Sequence, residues 1–370
     1  MSRQKIHAQV IRIGNPPFCL KSYRQCRGCF GWRNMIRAAR SKAAWQDRPI
    51  KCLLTGLTLK IGGIPEDTDL ITGGNTDAIQ LKSRGFHKPG TIEETIDLLV
   101  KYQRDACLIA GGTDILPRHQ GDGNRLTAGH LIDISGLGLD YIQNTDAGIH
   151  IGAATRINDL ISSPVFSSEP YGVLAEAARV HSTHTIRNRA TIGGNLCNAS
   201  PCADLALPLL ALDAYLVILG PNGKHLIDLE SFFQGPNCTI LEPDQMMQEI
   251  LIPFTNHLSL SGFLKLGRHQ TKIDTAIVNV ATRLSFKEND CIDARIVIGS
   301  AGPMVFRAKK AEALIKTGIL DDDAINLAAG TAMQEASPLD DIRASAAYRK
   351  EMVAELVKES LKIIMKRSLS

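Results

Sequence analysis

The stretch ATIGGNLCNASPCAD, residues 190–204, sets the first question for the fold. It packs adjacent glycines, small polar residues, two cysteines and a closing aspartate into fifteen positions. Three readings are open from the residues alone. Cys197 and Cys202 could ligate a metal, the backbone could wrap a phosphate, or the run could be an ordinary turn of small residues. A CxxxxC pair with no second pair and no clustered histidines is poor metal-ligand spacing, and small half-buried cysteines are common. A second stretch, ACLIAGGTDILP at 106–117, supplies a parallel: an apolar strand over 106–110 running into Gly111-Gly112-Thr113-Asp114. A dinucleotide pyrophosphate is held by backbone N–H groups, and the chain must approach so closely that a Cβ would obstruct it. Both GG turns meet that need, with Thr113, Asp114, Thr191 and Asn195 as polar flanks. Neither is a GxGxxG fingerprint opening a long helix, and there is no Walker lysine.

Working outward, 370 residues predict two or three domains. Aromatic residues make up 5% of the chain, so the core must rest on Leu, Ile, Val and Ala. No apolar run approaches the roughly 20 residues of a membrane span. The N-terminus lacks the apolar region of a signal peptide. Nine cysteines with a single CxxC argue against a disulfide framework. These features predict a cytoplasmic protein.

The net charge of +4 hides an asymmetry, because residues 1–60 hold 13 Lys/Arg and one acid, Asp47. That front is +12, which leaves −8 for the remainder. A basic front is compatible with a docking arm, a nucleic-acid arm or a transit peptide. It has no nucleic-acid motif and no aromatic platform, and its four cysteines against three serines are unlike a transit peptide.

Residues 62–85 form a Gly/Asp/Thr-rich break. After it, Thr91 and Glu94 predict a capping box for a helix whose apolar face is Ile92, Ile96, Leu99 and Val100. HLIDIS and GIHIGAAT predict short strands, YGVLAEAARV a helix, AYLVILGPNGKHLIDL a hairpin, and CIDARIVIGSAGP a strand entering a turn. The chain ends in an amphipathic helix with Met352, Val353, Leu356, Val357, Leu361 and Ile364 on one side. Helices and strands alternate irregularly, which predicts an α+β fold. His181 and His184, in RVHSTHTIRNRA, offer acid/base groups or capping side chains.

CLIAGGTDILP and IRNRATIGGNLCNASPCADLALPLLALDA closely resemble the two signature loops of the FAD-binding (medium) subunit of molybdenum hydroxylases. That family includes xanthine dehydrogenases and carbon monoxide dehydrogenase. FLKLGRHQTKIDTAIVNVA at 263–281 resembles the start of the family's C-terminal flavoprotein domain. The resemblance runs from about Gly85 to the C-terminus. It implies a vanillyl-alcohol-oxidase-type FAD-binding domain in two subdomains, followed by a smaller α/β C-terminal domain. It divides the chain into a short helical N-terminal extension (1–80), an FAD-binding domain (81–258) and a C-terminal domain (259–370). By position, Ile109, Ala110, Gly111, Gly112, Thr113 and Asp114 correspond to the first pyrophosphate loop. Thr191, Gly193, Gly194, Asn195, Cys197, Asn198 and Asp204 correspond to the second, extending toward the ribityl chain and adenosine. Met247 corresponds to an apolar contact and Lys265 to a lysine near the isoalloxazine ring. The segment VHSTHTIRN is one residue longer than the family's usual VGSPQIRN.

More weakly, residues 24–65 resemble the helical [2Fe-2S] domain of the same enzymes' small subunit. Cys26 and Cys29 match its first ligand pair, while Leu59 and Ile61 stand where the second pair belongs. A cluster needs four ligands, so the resemblance implies a degenerate copy. The implied function is electron transfer in a xanthine dehydrogenase-like heteromeric complex, from [2Fe-2S] clusters through FAD to NAD+ or another acceptor. The implied partners are a molybdenum-cofactor large subunit and a [2Fe-2S] small subunit. The alternatives are a stand-alone FAD oxidoreductase and a non-catalytic assembly subunit.

Overall fold

The structure is a computed structural model that describes residues 85–119, 128–268, 274–288, 290–316 and 320–368, plus two short strands at 50–51 and 58–59. The chain divides into two units, Met1–Asp77 and Ala78–Ser370. In the first unit, strands β1 (Ile50–Lys51) and β2 (Thr58–Leu59) pair antiparallel. The cysteines of the [2Fe-2S]-like segment and most of the 62–85 break lie outside the described residues.

The second unit begins with a three-stranded parallel sheet. Its strands are β3 (Gly85–His87), β4 (Ala106–Ile109) and β5 (His130–Asp133), in the order β3-β5-β4. Parallel strands of one sheet require crossover connections, and helix α1 (Ile92–Tyr102) lies in the one that carries the chain from β3 past the later β5 position to β4. Thr91 caps it by accepting from Glu94 N–H at 3.1 Å. The return bond of Glu94 goes to Gly90 N–H, at 2.8 Å, rather than to Thr91. Leu99 is buried with Ile132 and Met246, and Ile92, Ile96 and Leu98 pack against them. Val100 is 43% exposed, contrary to its expected place on the apolar face. Thr95 takes that place instead, buried because its hydroxyl donates to Thr91 O at 2.8 Å.

A five-stranded antiparallel sheet follows. It comprises β6 (Ile142–Thr145), β7 (Gly148–Gly152), β8 (Tyr215–Gly220), β9 (Gly223–Asp228) and β12 (Met246–Ile252), in the order β6-β7-β12-β8-β9. The expected hairpin is β8–β9, with Gly220 opposite Gly223. Ile250 pairs with Ile151 on one side and Leu216 on the other, and all three are fully buried. Helices α3 (Ile157–Ser162), α4 (Gly172–Val180), α5 (His184–Arg187), α6 (Ile192–Cys197), α7 (Ala206–Ala211) and α8 (Leu229–Phe232) are interleaved with this sheet in the chain. Residues of α3, α4, α6, α7 and α8 share its core. A short pair, β10 (Phe233–Gly235) and β11 (Cys238–Thr239), lies between β9 and β12 in the chain.

The third sheet is antiparallel, β13 (Leu258–Gly267), β14 (Ala276–Lys287), β15 (Asp290–Gly299) and β16 (Phe306–Arg307), in chain order. Helices α9 (Lys309–Ile315), α10 (Asp322–Glu335) and α11 (Ala346–Ser368) build a second core with it. From α11, Val353, Val357, Leu361 and Ile364 are fully buried, and Met352 and Leu356 pack beside them. β14 is buried along eleven consecutive residues. Period-2 alternation sends Val278, Val280 and Leu284 to this core and Ala281 to the first one. A strand covered on both faces loses its polar/apolar alternation. The arrangement is the expected α+β fold. Among the described residues no helix is long and apolar enough to cross a membrane.

Candidate functional site

The first glycine turn leaves β4 at Ile109, a residue before the expected strand end, and helix α2 (Ile115–His119) begins after it. Leu116 N–H donates to Gly112 O at 3.1 Å. Gly112 has φ +69°, where a side chain is strained. A Cβ on Gly111 would collide with the Arg189 carbonyl oxygen. Gly111 is therefore the point where the first turn meets the approach to the second, backbone against backbone.

In the second turn, Thr191 caps α6 and its Oγ1 accepts from Gly194 N–H at 3.1 Å. Ile192 N–H donates to Thr155 O at 3.0 Å and Gly193 N–H to Ala153 O at 2.9 Å. A Cβ on Gly193 would stand 2.6 Å from that Ala153 oxygen. The donors of this turn are thus engaged within the protein and do not face outward, unlike the expectation drawn from its glycines. In the first turn, the N–H groups of Gly111, Gly112 and Thr113 make no hydrogen bond among the described residues. The two turns differ in chemistry: one offers donors, the other offers bare backbone surface and polar side chains.

Both turns open into one cavity of about 720 Å³. Ala110, Gly111, Gly112, Thr113 and Asp114 line it, as do Thr191, Gly193, Gly194, Asn195, Cys197 and Asn198. Asp204, Met247 and Lys265 complete the set expected from sequence. Ile109 does not line the cavity; it stands behind Gly112. Met247 is 3% exposed, on β12. Residues the glycine motifs do not announce also line the wall, among them Ser182, Gln245 and Thr275.

The cavity wall also holds a charged cluster. Lys265 Nζ lies 2.7 Å from Asp204 Oδ2, with side-chain exposures of 2% and 5%. The ammonium also donates to Val180 O at 3.2 Å. Asn279 Nδ2 donates to Asp204 Oδ1 at 3.1 Å, and His181 Nδ1 lies 3.3 Å from Asp204 Oδ2. A buried ion pair is tolerated when its geometry is good and the remaining lone pairs are satisfied, and both conditions hold here. Asp204 and Lys265 were assigned by resemblance to different parts of a cofactor; the fold places them in contact. His181 follows the last turn of α4, its backbone N–H donating to Ala178 O, while its side chain faces the Asp204 carboxylate. His184 starts α5 and pairs with Asn188 at 3.2 Å. Asn279 carries no sequence signal, because it is an isolated polar residue within an apolar strand.

The cysteines of the second turn are thiols. Cys197 is exposed on the cavity wall, and desolvation by the protein around it pushes its thiol up. Cys202 Sγ accepts from Arg343 Nη1 at 3.3 Å. Among the described residues no group of three or more His, Cys, Asp or Glu side chains could hold a metal ion.

The cavity fits a flavin dinucleotide. Its volume lies inside the range of about 300–1,000 Å³ typical of small-molecule sites. The glycines keep backbone bare where a pyrophosphate would approach, the first turn has donors to offer, and Asn195 Oδ1 is buried without a hydrogen-bond partner. A buried unsatisfied acceptor in a native site needs an explanation, and a donor on a bound molecule is one.

Residues 79–255 match the family model for the FAD binding domain in molybdopterin dehydrogenase, and residues 263–364 match the CO dehydrogenase flavoprotein C-terminal domain. The carbon monoxide dehydrogenase medium chain of Hydrogenophaga pseudoflava is 32% identical over 277 residues, covering 75% of this chain and 95% of that one. The xanthine dehydrogenase FAD-binding subunit of Escherichia coli O157:H7 is 28% identical over 282 residues, covering 74% and 93%. The solved carbon monoxide dehydrogenase from Hydrogenophaga pseudoflava that lacks the Mo-pyranopterin moiety matches with a TM-score of 0.71, over 75% of this chain and 96% of that one. Two contiguous family matches, and a relative above 30% identity matched almost end to end, leave one conclusion: the chain belongs to the FAD-binding, medium-subunit family of molybdenum hydroxylases, an oxidoreductase flavoprotein.

Proposed function

We propose that this chain is the electron-transfer subunit of a cytoplasmic molybdenum hydroxylase complex. It takes electrons from the [2Fe-2S] clusters of a small subunit and passes them to NAD+ or another acceptor. Substrate oxidation belongs to a molybdenum-cofactor large subunit. The observation that carries the reading is the single cavity into which both glycine turns and the Lys265–Asp204 pair open. The domain boundaries follow the same reading: 81–258 binds FAD, 259–370 closes over it with Lys265, and 1–80 is an extension.

FAD, when bound, supplies the step between two-electron and one-electron chemistry. The protein's contribution is binding, orientation and charge. Gly111, Gly112 and Thr113 would direct backbone N–H groups at the pyrophosphate, with Thr113 and Asp114 flanking them. Gly193 and Gly194 let the second strand of backbone lie close, and Asn195 would accept from the cofactor. Cys197 and Asn198 continue this wall, and Met247 gives it an apolar surface. Lys265, neutralised by Asp204 in the resting pair, would meet charge that develops on the ring, where preorganised charge in a buried site counts most.

The test is to release the cofactor of the purified protein by heat, identify it and record the visible spectrum. Released FAD and flavin bands support the reading. A colourless protein that takes up no added FAD overturns it and favours an assembly subunit. The basic extension is proposed to dock on a partner. Deleting residues 1–80 should then abolish co-purification of the other subunits, and unchanged assembly would sink that idea.

A further inference from the structure

Most of the charged cluster on the cavity wall is buried. Lys265 and Asp204 form a buried pair at 2.7 Å, and Asn279 occupies the other carboxylate oxygen at 3.1 Å. His181 is the exception. Its Nδ1 lies 3.3 Å from the same Asp204 Oδ2 that Lys265 uses, its side chain is 19% exposed, and it lines the cavity. With Nδ1–H donating to Asp204, Nε2 is the atom left to take a proton. Imidazole is the side chain whose charge changes between about pH 5 and 8.

The surroundings hold this ring in place. Its own carbonyl accepts from Arg187 Nη1 at 3.1 Å, and the next residue, Ser182, has φ +50° and a carbonyl that accepts from the same guanidinium at 2.8 Å. The charged groups around the imidazole are Asp204, Lys265 on β13 and Arg187 on α5; Asp114 and Asp274 also line the cavity. The ring lies outside both glycine turns.

We propose that His181 is a positioning residue that links the redox potential of the bound flavin to pH. Protonated, it adds one positive charge to an otherwise neutral Asp204–Lys265 pair on the cavity wall. Two electrons enter the flavin from a reduced iron–sulfur donor, and one proton from solvent binds the flavin. A further fraction of a proton, also from solvent, binds His181 Nε2, because the added negative charge favours the imidazolium. Reduction is thus easier in the pH range where His181 can charge. This rests on the cavity being the FAD site.

The test is spectroelectrochemical titration of the FAD-loaded protein from about pH 5.5 to 8.5, a window bracketing imidazole titration. Wild type is compared with His181→Gln, which keeps a hydrogen-bonding group and loses the titration. His184→Gln serves as a control on the neighbouring helix. The expected result is a wild-type midpoint potential that falls more steeply with pH than that of H181Q. The two curves should converge at the alkaline end and separate at the acid end with wild type the more positive. H184Q should follow wild type. Parallel curves for wild type and H181Q, with FAD content equal, overturn the proposal. Absence of FAD from wild type and both variants would instead overturn the cofactor reading on which it stands.

Discussion

At the residue scale, two positions carry the site for different physical reasons. Gly111 is steric: its missing Cβ is what allows the first turn to touch Arg189. Gly111→Ala should cost about 3 kcal/mol or more, the upper range for overpacking, because the obstacle is backbone and cannot rotate away. Chemical denaturation would measure this loss, and FAD content should fall with it. Asp204 is electrostatic. Asp204→Asn leaves the Lys265 ammonium buried beside a neutral amide, and breaking a buried pair costs about 3–5 kcal/mol. The expected outcome is lower stability together with weakened FAD retention. A second substitution, Lys265→Met, should restore much of the stability without restoring the flavin, which a denaturation curve and a flavin spectrum on the double variant would check. The glycines of both turns were legible in the sequence because a close backbone approach leaves no other residue type. The Asp204–Lys265 contact was not, because 61 positions separate the partners and nothing local marks them as a pair.

At the element scale, α11 and the segment leading into it hold the C-terminal core. Leu361 is fully buried against β14 residues, so Leu361→Ala should destabilise by about 2–5 kcal/mol. A shift in the denaturant midpoint at unchanged slope would confirm a packing loss. The segment before α11 is fastened by charge. Arg343 first, and Arg349 with it, hold the Asp341 carboxyl far below the ordinary carboxylate range, and Arg349 continues inward to the carbonyls of Ile277 and Ser300. A depressed carboxylate contributes stability above its unfolded value and loses it as pH falls through the folded one. Thermal stability should therefore decline below about pH 4, the unfolded value for Asp. Asp341→Asn should be less stable at neutral pH and show a flatter acid limb in melting experiments. The amphipathic period of α11 was readable in the sequence. Val100 was not, since a helix of eleven residues can rotate its stripe by a fraction of a turn to suit its neighbours.

At the scale of the molecule, every described residue lining the cavity belongs to the unit 78–370. A chain beginning at Ala78 should retain FAD, and saturating that chain with FAD should raise its melting temperature. At a free concentration of 100 times Kd the added stability is about 2.7 kcal/mol. Loss of flavin binding on truncation would show that the basic front contributes to the site. Local sequence determined the α+β class, the two glycine turns, their kinship to flavoprotein loops and the terminal helix, because glycine placement, caps and periodicity act over a few residues. Tertiary structure alone decided which donors remain free among the described residues. The second turn's N–H groups look available in sequence but are taken by Ala153 and Thr155, brought from a distant part of the chain. It also decided that His181, Asp204, Lys265 and Asn279 share one cluster. Charge coupling depends on distance in space, and a sequence encodes that distance only through the packing of the whole core.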